Sequence, residues 1–148
     1  MRITSVIVLV FFFILGTNAQ KADVNLNKEY AAQGYDVIEY FNGKAIKGEK
    51  TIEASYEGAL YLFTTGANKK TFEANPEQYI PQFGGYCAYA IGVKSDKVDV
   101  DPKTFEIRDG KLYLFYNSWG VNTLKKWQRG NTAILLESAN RKWEVLQK

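Results

Sequence analysis

An α+β fold, with small antiparallel β-hairpins packed against short helices and a helical C-terminus, is what this sequence predicts. Three observations carry that reading. Aromatic and β-branched segments come in pairs split by the turn dipeptides Asn42-Gly43, Glu57-Gly58 and Asp109-Gly110. Helical periodicity is concentrated in the stretch after Thr65 and in the C-terminal residues from about Ser118. No regular strand-helix-strand alternation links them, which argues against a parallel βαβ sheet.

Taken in order, residues 1–19 read as a secretory signal. Arg2 is their only charge, Val6 to Leu15 is an unbroken apolar run, and small residues (Gly16, Thr17, Ala19) precede the expected cleavage after Ala19. The run is shorter than the roughly 20 residues a spanning helix needs, and no later stretch would anchor the chain in a membrane. Export to the periplasm or beyond the cell is therefore expected. Residues 20–33 are polar with scattered apolar positions and read as an N-terminal arm, so the domain is set at 34–148.

Within it, Tyr35 to Phe41 reads as a strand entering a hairpin at Asn42-Gly43. Thr51–Tyr56 and Ala59–Thr64 form a second hairpin. Thr64 or Thr65 caps a helix over Gly66–Ala74, which Asn75-Pro76 ends with a short turn through Tyr79. Gly84-Gly85 breaks the chain before a brief helix from Tyr86 to Ile91. Asp101-Pro102 opens a turn, and Phe105–Arg108 pairs with Lys111–Tyr116 across Asp109-Gly110. One helix runs from Ser118 to Arg129, stopped by Gly130. Another starts at the Asn131 cap and places Leu135, Ala139, Trp143 and Leu146 on one stripe.

Composition excludes several chemistries. The chain has no histidine, one cysteine and one methionine, the initiator. Ser-His-Asp and Cys-His catalysis need an imidazole base, and a His-based zinc or copper site needs its nitrogen. A single cysteine forms no internal disulfide framework, so stability must come from packing, to which ten tyrosines and three tryptophans contribute. Loss of residues 1–19 removes Arg2 and no acid, taking the formal charge from +3 to +2. That balance predicts neither nucleic-acid binding nor strong membrane attraction.

The assembled segments resemble the YHS-domain family, in particular its exported, stand-alone members. The residues carrying the resemblance are Gly34-Tyr35-Asp36-Val37 with Tyr40-Phe41, Tyr56-Glu57-Gly58 with Tyr61 and Phe63, and Phe72-Glu73-Ala74-Asn75-Pro76-Glu77-Gln78-Tyr79. They continue with Phe83-Gly84-Gly85-Tyr86-Cys87-Ala88-Tyr89-Ala90, Asp101-Pro102, Asp109 to Leu114 with Tyr116-Asn117, and Trp127. Shorter members, which resemble metal-handling modules, carry cysteines early in the unit and just after the second hairpin. Here those places hold Tyr35-Asp36 and Thr64 to Asn68, and the histidine of the family name is missing. The resemblance thus implies the fold more than a metal.

Cys87, with Tyr86, Tyr35 and Asp36, forms the candidate thiol or ligand site. In the first turn of a helix, Cys87 would be favoured as thiolate; otherwise it is a small buried hydrophobe between Tyr86 and Tyr89. Cys87, Asp96, Asp99 and Asp101 are the metal candidates, although the acidic string lacks EF-hand spacing and Asp101 suits a cap at Pro102. Asp36, Glu39, Glu57 and Asp109 could in principle pair as acid and base, while Lys125-Lys126 reads as a solvated helix face. The expectation is a non-enzymatic binding or interaction module without a cofactor. Its partner would be a small ligand or another protein, a second copy of this chain included. The rivals are a metal-associated protein in which Cys87 supplies one ligand and a partner completes the shell, and a thiol redox or carboxylate enzyme.

Overall fold

A computed structural model of the protein describes residues 22–148, and the expected signal segment lies outside them. The first departure from expectation is at Tyr35–Phe41. Instead of a strand, Val37–Phe41 forms helix α1. The Asp36 carboxylate accepts from the Ile38 N–H at 2.9 Å, and Glu39 stands three residues on, the spacing of a capping box. Asn42-Gly43 then closes the helix rather than a hairpin. Gly43 lies at φ 76, its N–H donates to Tyr40 O, and the Lys44 N–H donates to Glu39 O, the bond pair of a Schellman motif. A turn dipeptide serves either purpose; the Asp-x-x-Glu signal ahead of it decides.

The second departure is the arm. Strands β1 (Leu26–Asn27) and β2 (Tyr30–Ala31) pair antiparallel, and β2 joins β4 (Ala59–Phe63) in parallel at Tyr30↔Leu60. With β3 (Glu49–Tyr56) they make a four-stranded sheet in the order β1-β2-β4-β3. Ala31 is fully buried, so residues expected outside the domain belong to its core. Two-residue strands are too short to show period-2 patterning, which is why the segment read as loose.

The middle hairpin β3–β4 and helix α2 (Gly66–Ala74) form as the sequence predicts, Thr65 accepting from Asn68 N at 3.0 Å as the cap. Helix α3 spans Ala88–Lys94, and β5 (Asp101–Arg108) pairs with β6 (Lys111–Phe115) across Asp109-Gly110. The segment expected to be helical from Ser118 instead starts with a small hairpin, β7 (Asn117–Ser118) and β8 (Val121–Asn122). Helix α4 covers Thr123–Arg129, where Asn122 accepts from Lys125 N at 3.0 Å. Helix α5 (Thr132–Leu146) starts at the Asn131 cap.

Strand β6 organises the interior. Its side chains alternate, as a pleated strand requires, but both faces are covered. Leu112 and Leu114 join Val37, Tyr40, Phe63 and Phe72 in one core, while Tyr113 and Phe115 join Ile91, Trp127 and Ala139 in another. The α5 stripe of Leu135, Ala139, Trp143 and Leu146 closes over this second core. Gly92 brings α3 close to α5: a Cβ there would sit 2.9 Å from Leu135 O, and Ser138 Oγ and Lys142 Nζ donate to its carbonyl at 2.8 and 2.7 Å. The observed architecture is α+β, with one helical face.

Candidate functional site

Cys87 borders a cleft of about 270 Å³ between α3, the following loop and the β7–α4 segment. Gly84 and Gly85, both at positive φ, deliver it; a Cβ on Gly84 would come 2.1 Å from Asp23 O, so only glycine fits there. Because α3 starts at Ala88 and not Tyr86, Cys87 occupies the position just before the first turn. Its N–H donates to Val98 O at 2.9 Å and its side chain caps nothing. Sγ lies 3.3 Å from Thr123 Oγ1, whose own proton goes to Tyr116 O at 2.8 Å, so the thiol is the donor of the pair. Cys87 is 0% exposed and therefore lies beneath the cleft wall rather than in its mouth. The walls are Tyr89, Ala90, Val93, Val98, Tyr116 and Val121, while Lys94, Asp96 and Lys126 stand at the polar edge.

Asp36 lies elsewhere, at the centre of a polar knot in the first core. It is 0% exposed. Besides the Ile38 N–H on Oδ1, its Oδ2 accepts from Thr64 N at 2.7 Å, Thr64 Oγ1 at 2.8 Å and Asn68 Nδ2 at 2.8 Å. The Asn68 amide also reaches Glu39 Oε1 at 2.8 Å. The knot thus ties α1, the end of β4 and α2 together through neutral donors. Among the described residues no buried side-chain polar atom lacks a partner.

The remaining candidates do not converge on Cys87. Tyr86 turns to the opposite side, its ring 6.1 Å from that of Trp143, with Lys97 Nζ near both rings and paired to Asp23. Burial first, then the Asp23 carboxylate, holds the Tyr86 phenol above its ordinary pKa. Tyr35 packs on the first core and bridges to Lys47. Asp101 accepts from Lys103 N at 3.0 Å and Thr104 Oγ1 at 2.8 Å, a capping role at the start of β5. Of the acidic string, Asp96 reaches the cleft edge, and Asp96, Asp99 and Asp101 do not gather with Cys87. Glu57 and Asp109 occupy hairpin turns at φ 49 and 50, apart from Asp36 and Glu39.

Two features escaped the sequence reading. Trp119, placed inside an expected helix, stands at the tip of the β7–β8 hairpin and is 95% exposed. Lys125, Lys126 and Arg129 line a shallow basic recess with Gly120, Val121 and Asn122. Behind α4, Glu106 accepts from Trp127 Nε1 at 3.1 Å, Gln128 Nε2 at 3.3 Å and Arg108 Nε at 2.9 Å. Burial alone would raise its pKa, but these donors and the Arg108 charge carry it below the ordinary carboxylate value.

Two cores, a polar knot centred on a buried carboxylate and an apolar cleft thus make up a small α+β domain. The family model for the YHS domain matches residues 37–83, so the chain carries a YHS domain over that stretch. No curated protein and no solved structure matches it. The matched stretch starts one residue after Asp36 and holds the donors of the knot, and all of the residues bordering the cleft lie beyond it.

The residues present do not fit a metal at the places where the shorter family members carry cysteines. Those two places, Asp36 and Thr64 to Asn68, do meet in space, but they are joined by direct hydrogen bonds. Asp36 already accepts four donors, about the full capacity of a carboxylate. Among the described residues no group of three His, Cys, Asp or Glu side chains stands close enough to hold an ion.

Proposed function

We propose that the protein is an exported, non-enzymatic binding module whose ligand-receiving surface is the cleft over Cys87, taking a small, mostly apolar molecule. The observation that carries this reading is the cleft itself. It offers a volume of about 270 Å³ walled by aromatic and aliphatic side chains, with a few polar groups at one edge. Small-molecule sites are concave and apolar, with sparse polar groups that fix orientation. Lys94 and Lys126 at that edge favour a ligand with an anionic or acceptor group. Export rests on the apolar leader, and among the described residues no helix is long and apolar enough to cross a membrane.

Titration with 1-anilinonaphthalene-8-sulfonate, an apolar anion, tests the reading. Saturable fluorescence enhancement at one site per chain is expected, and Ala90→Phe, which fills the cleft, should abolish it while the thermal transition persists. Enhancement that survives Ala90→Phe, or none that saturates, overturns the proposal. A metal-associated role through Cys87 is supported less, because its sulfur is fully buried and already hydrogen-bonded.

A further inference from the structure

We infer that the Trp119 hairpin and the cations beside it form a docking surface for an anionic lipid bilayer. The hairpin turn is two residues long: Ser118 pairs with Val121, and Trp119 and Gly120 lie at φ 51 and 74. That combination of positive angles suits Asn, Asp or Gly at the first place and is disfavoured by a bulky ring. The two other tight hairpins put Glu57 and Asp109 there, at similar angles. Trp119 therefore occupies a strained position while 95% of its surface faces water, so the fold gains no burial in return. Strain of this kind, kept without a structural benefit, points to use at a surface.

Its neighbours say which surface. Val121 and Val93 are also exposed, at 37% and 42%. Lys125, Lys126 and Arg129 share one recess, Lys94 and Lys126 edge the adjoining cleft, and among the described residues none of the four is in an ion pair. Asp96 is the one acid bordering either hollow. The formal charge of +3 hides this local concentration. An indole is stable at the level of lipid headgroups, and lysine and arginine near an anionic leaflet add attraction that salt screens. Neither signal holds a protein to a membrane alone, but the two together suffice for reversible binding. A protein partner is the weaker fit. One ring on a narrow tip, with two part-exposed valines set among cations, offers little apolar area that another protein could seal from water.

The test compares full-length chains on vesicles of phosphatidylcholine alone and of an equimolar mixture with phosphatidylglycerol. The three tryptophans lie at positions 119, 127 and 143, so a leader that itself enters lipid contributes no indole signal. On the mixed vesicles the emission should shift to the blue and be quenched by brominated lipid. Neither should happen on phosphatidylcholine, and both should be absent in Trp119→Phe. Lys125→Glu with Lys126→Glu should weaken the emission response at least about tenfold, as expected for removing two surface attractions, with an unchanged thermal transition. Emission that ignores the anionic lipid, quenching that persists in Trp119→Phe, or a shift produced by soluble polyglutamate and not by vesicles overturns the inference. Trp119→Phe leaves the cleft lining unchanged, so dye binding that persists in that variant while the lipid response is lost separates this inference from the proposed cleft.

Discussion

The matched YHS stretch and the segment that follows it use their polar groups in opposite ways. At the start of that stretch the fully buried Asp36 draws Ile38, Thr64 and Asn68 into a knot that leaves its carboxylate no spare acceptor. Between 87 and 129, polar groups stand around an open apolar hollow, and the most exposed tryptophan lies beside cations without ion partners among the described residues. The polar groups gathered at the matched stretch are thus spent on structure, whereas those of the following segment stay available at a surface. A family match locates a scaffold, and the site has to be read from the chain's own residues.

That contrast can be broken most sharply at Asp36. Asp36→Ala strands four buried or half-buried donors, and a loss of about 3–5 kcal/mol is expected in urea unfolding. Loss below about 1 kcal/mol would mean that water replaces the carboxylate and that the knot is open. Next comes Gly92→Ala, which forces a methyl against Leu135 O. We expect about 1–3 kcal/mol of destabilisation, with altered dye affinity because α3 forms one cleft wall.

Cys87 sharpens the comparison from the other side. Cys87→Ala should cost about 1–2 kcal/mol through a small void and a lost S–H donor, yet leave dye affinity unchanged because the sulfur has no surface in the cleft. Iodoacetamide should label Cys87 only as the protein unfolds; rapid labelling of the native protein would reinstate a reactive thiol.

The smallest effect is a pH dependence. Glu106 has a folded pKa below its ordinary 4.5, so the folded state binds its proton less tightly than the unfolded chain. Its contribution is complete above about pH 4.5 and lost as pH falls through the lower folded value. Thermal unfolding across that window should steepen in wild type relative to Glu106→Gln.

Much of the fold was legible. The Glu57-Gly58 and Asp109-Gly110 hairpins, helix α2 and the α5 stripe follow from turn chemistry, caps and a period long enough to count. What failed was short. α1 has five residues, nearly all apolar, so no periodicity marks it, and the strands at Leu26, Tyr30, Asn117 and Val121 have two residues each. Of the three residues grouped with Cys87, Tyr86, Tyr35 and Asp36, none borders its cleft. They were chosen by neighbourhood in sequence and family position, whereas the cleft depends on where α3, the Val98 loop and α4 meet. Trp119-Gly120 was the signal available for the exposed hairpin, hidden by a helix assumed to begin at Ser118.

The most direct test follows the amide resonances of isotopically labelled protein during titration with 1-anilinonaphthalene-8-sulfonate and, separately, with zinc. The account predicts dye-dependent shifts at Cys87, Val93, Val98 and Val121, and zinc-independent resonances at Asp36, Thr64 and Asn68. Stoichiometric zinc shifts at the Asp36 knot, with the cleft silent to dye, would contradict it.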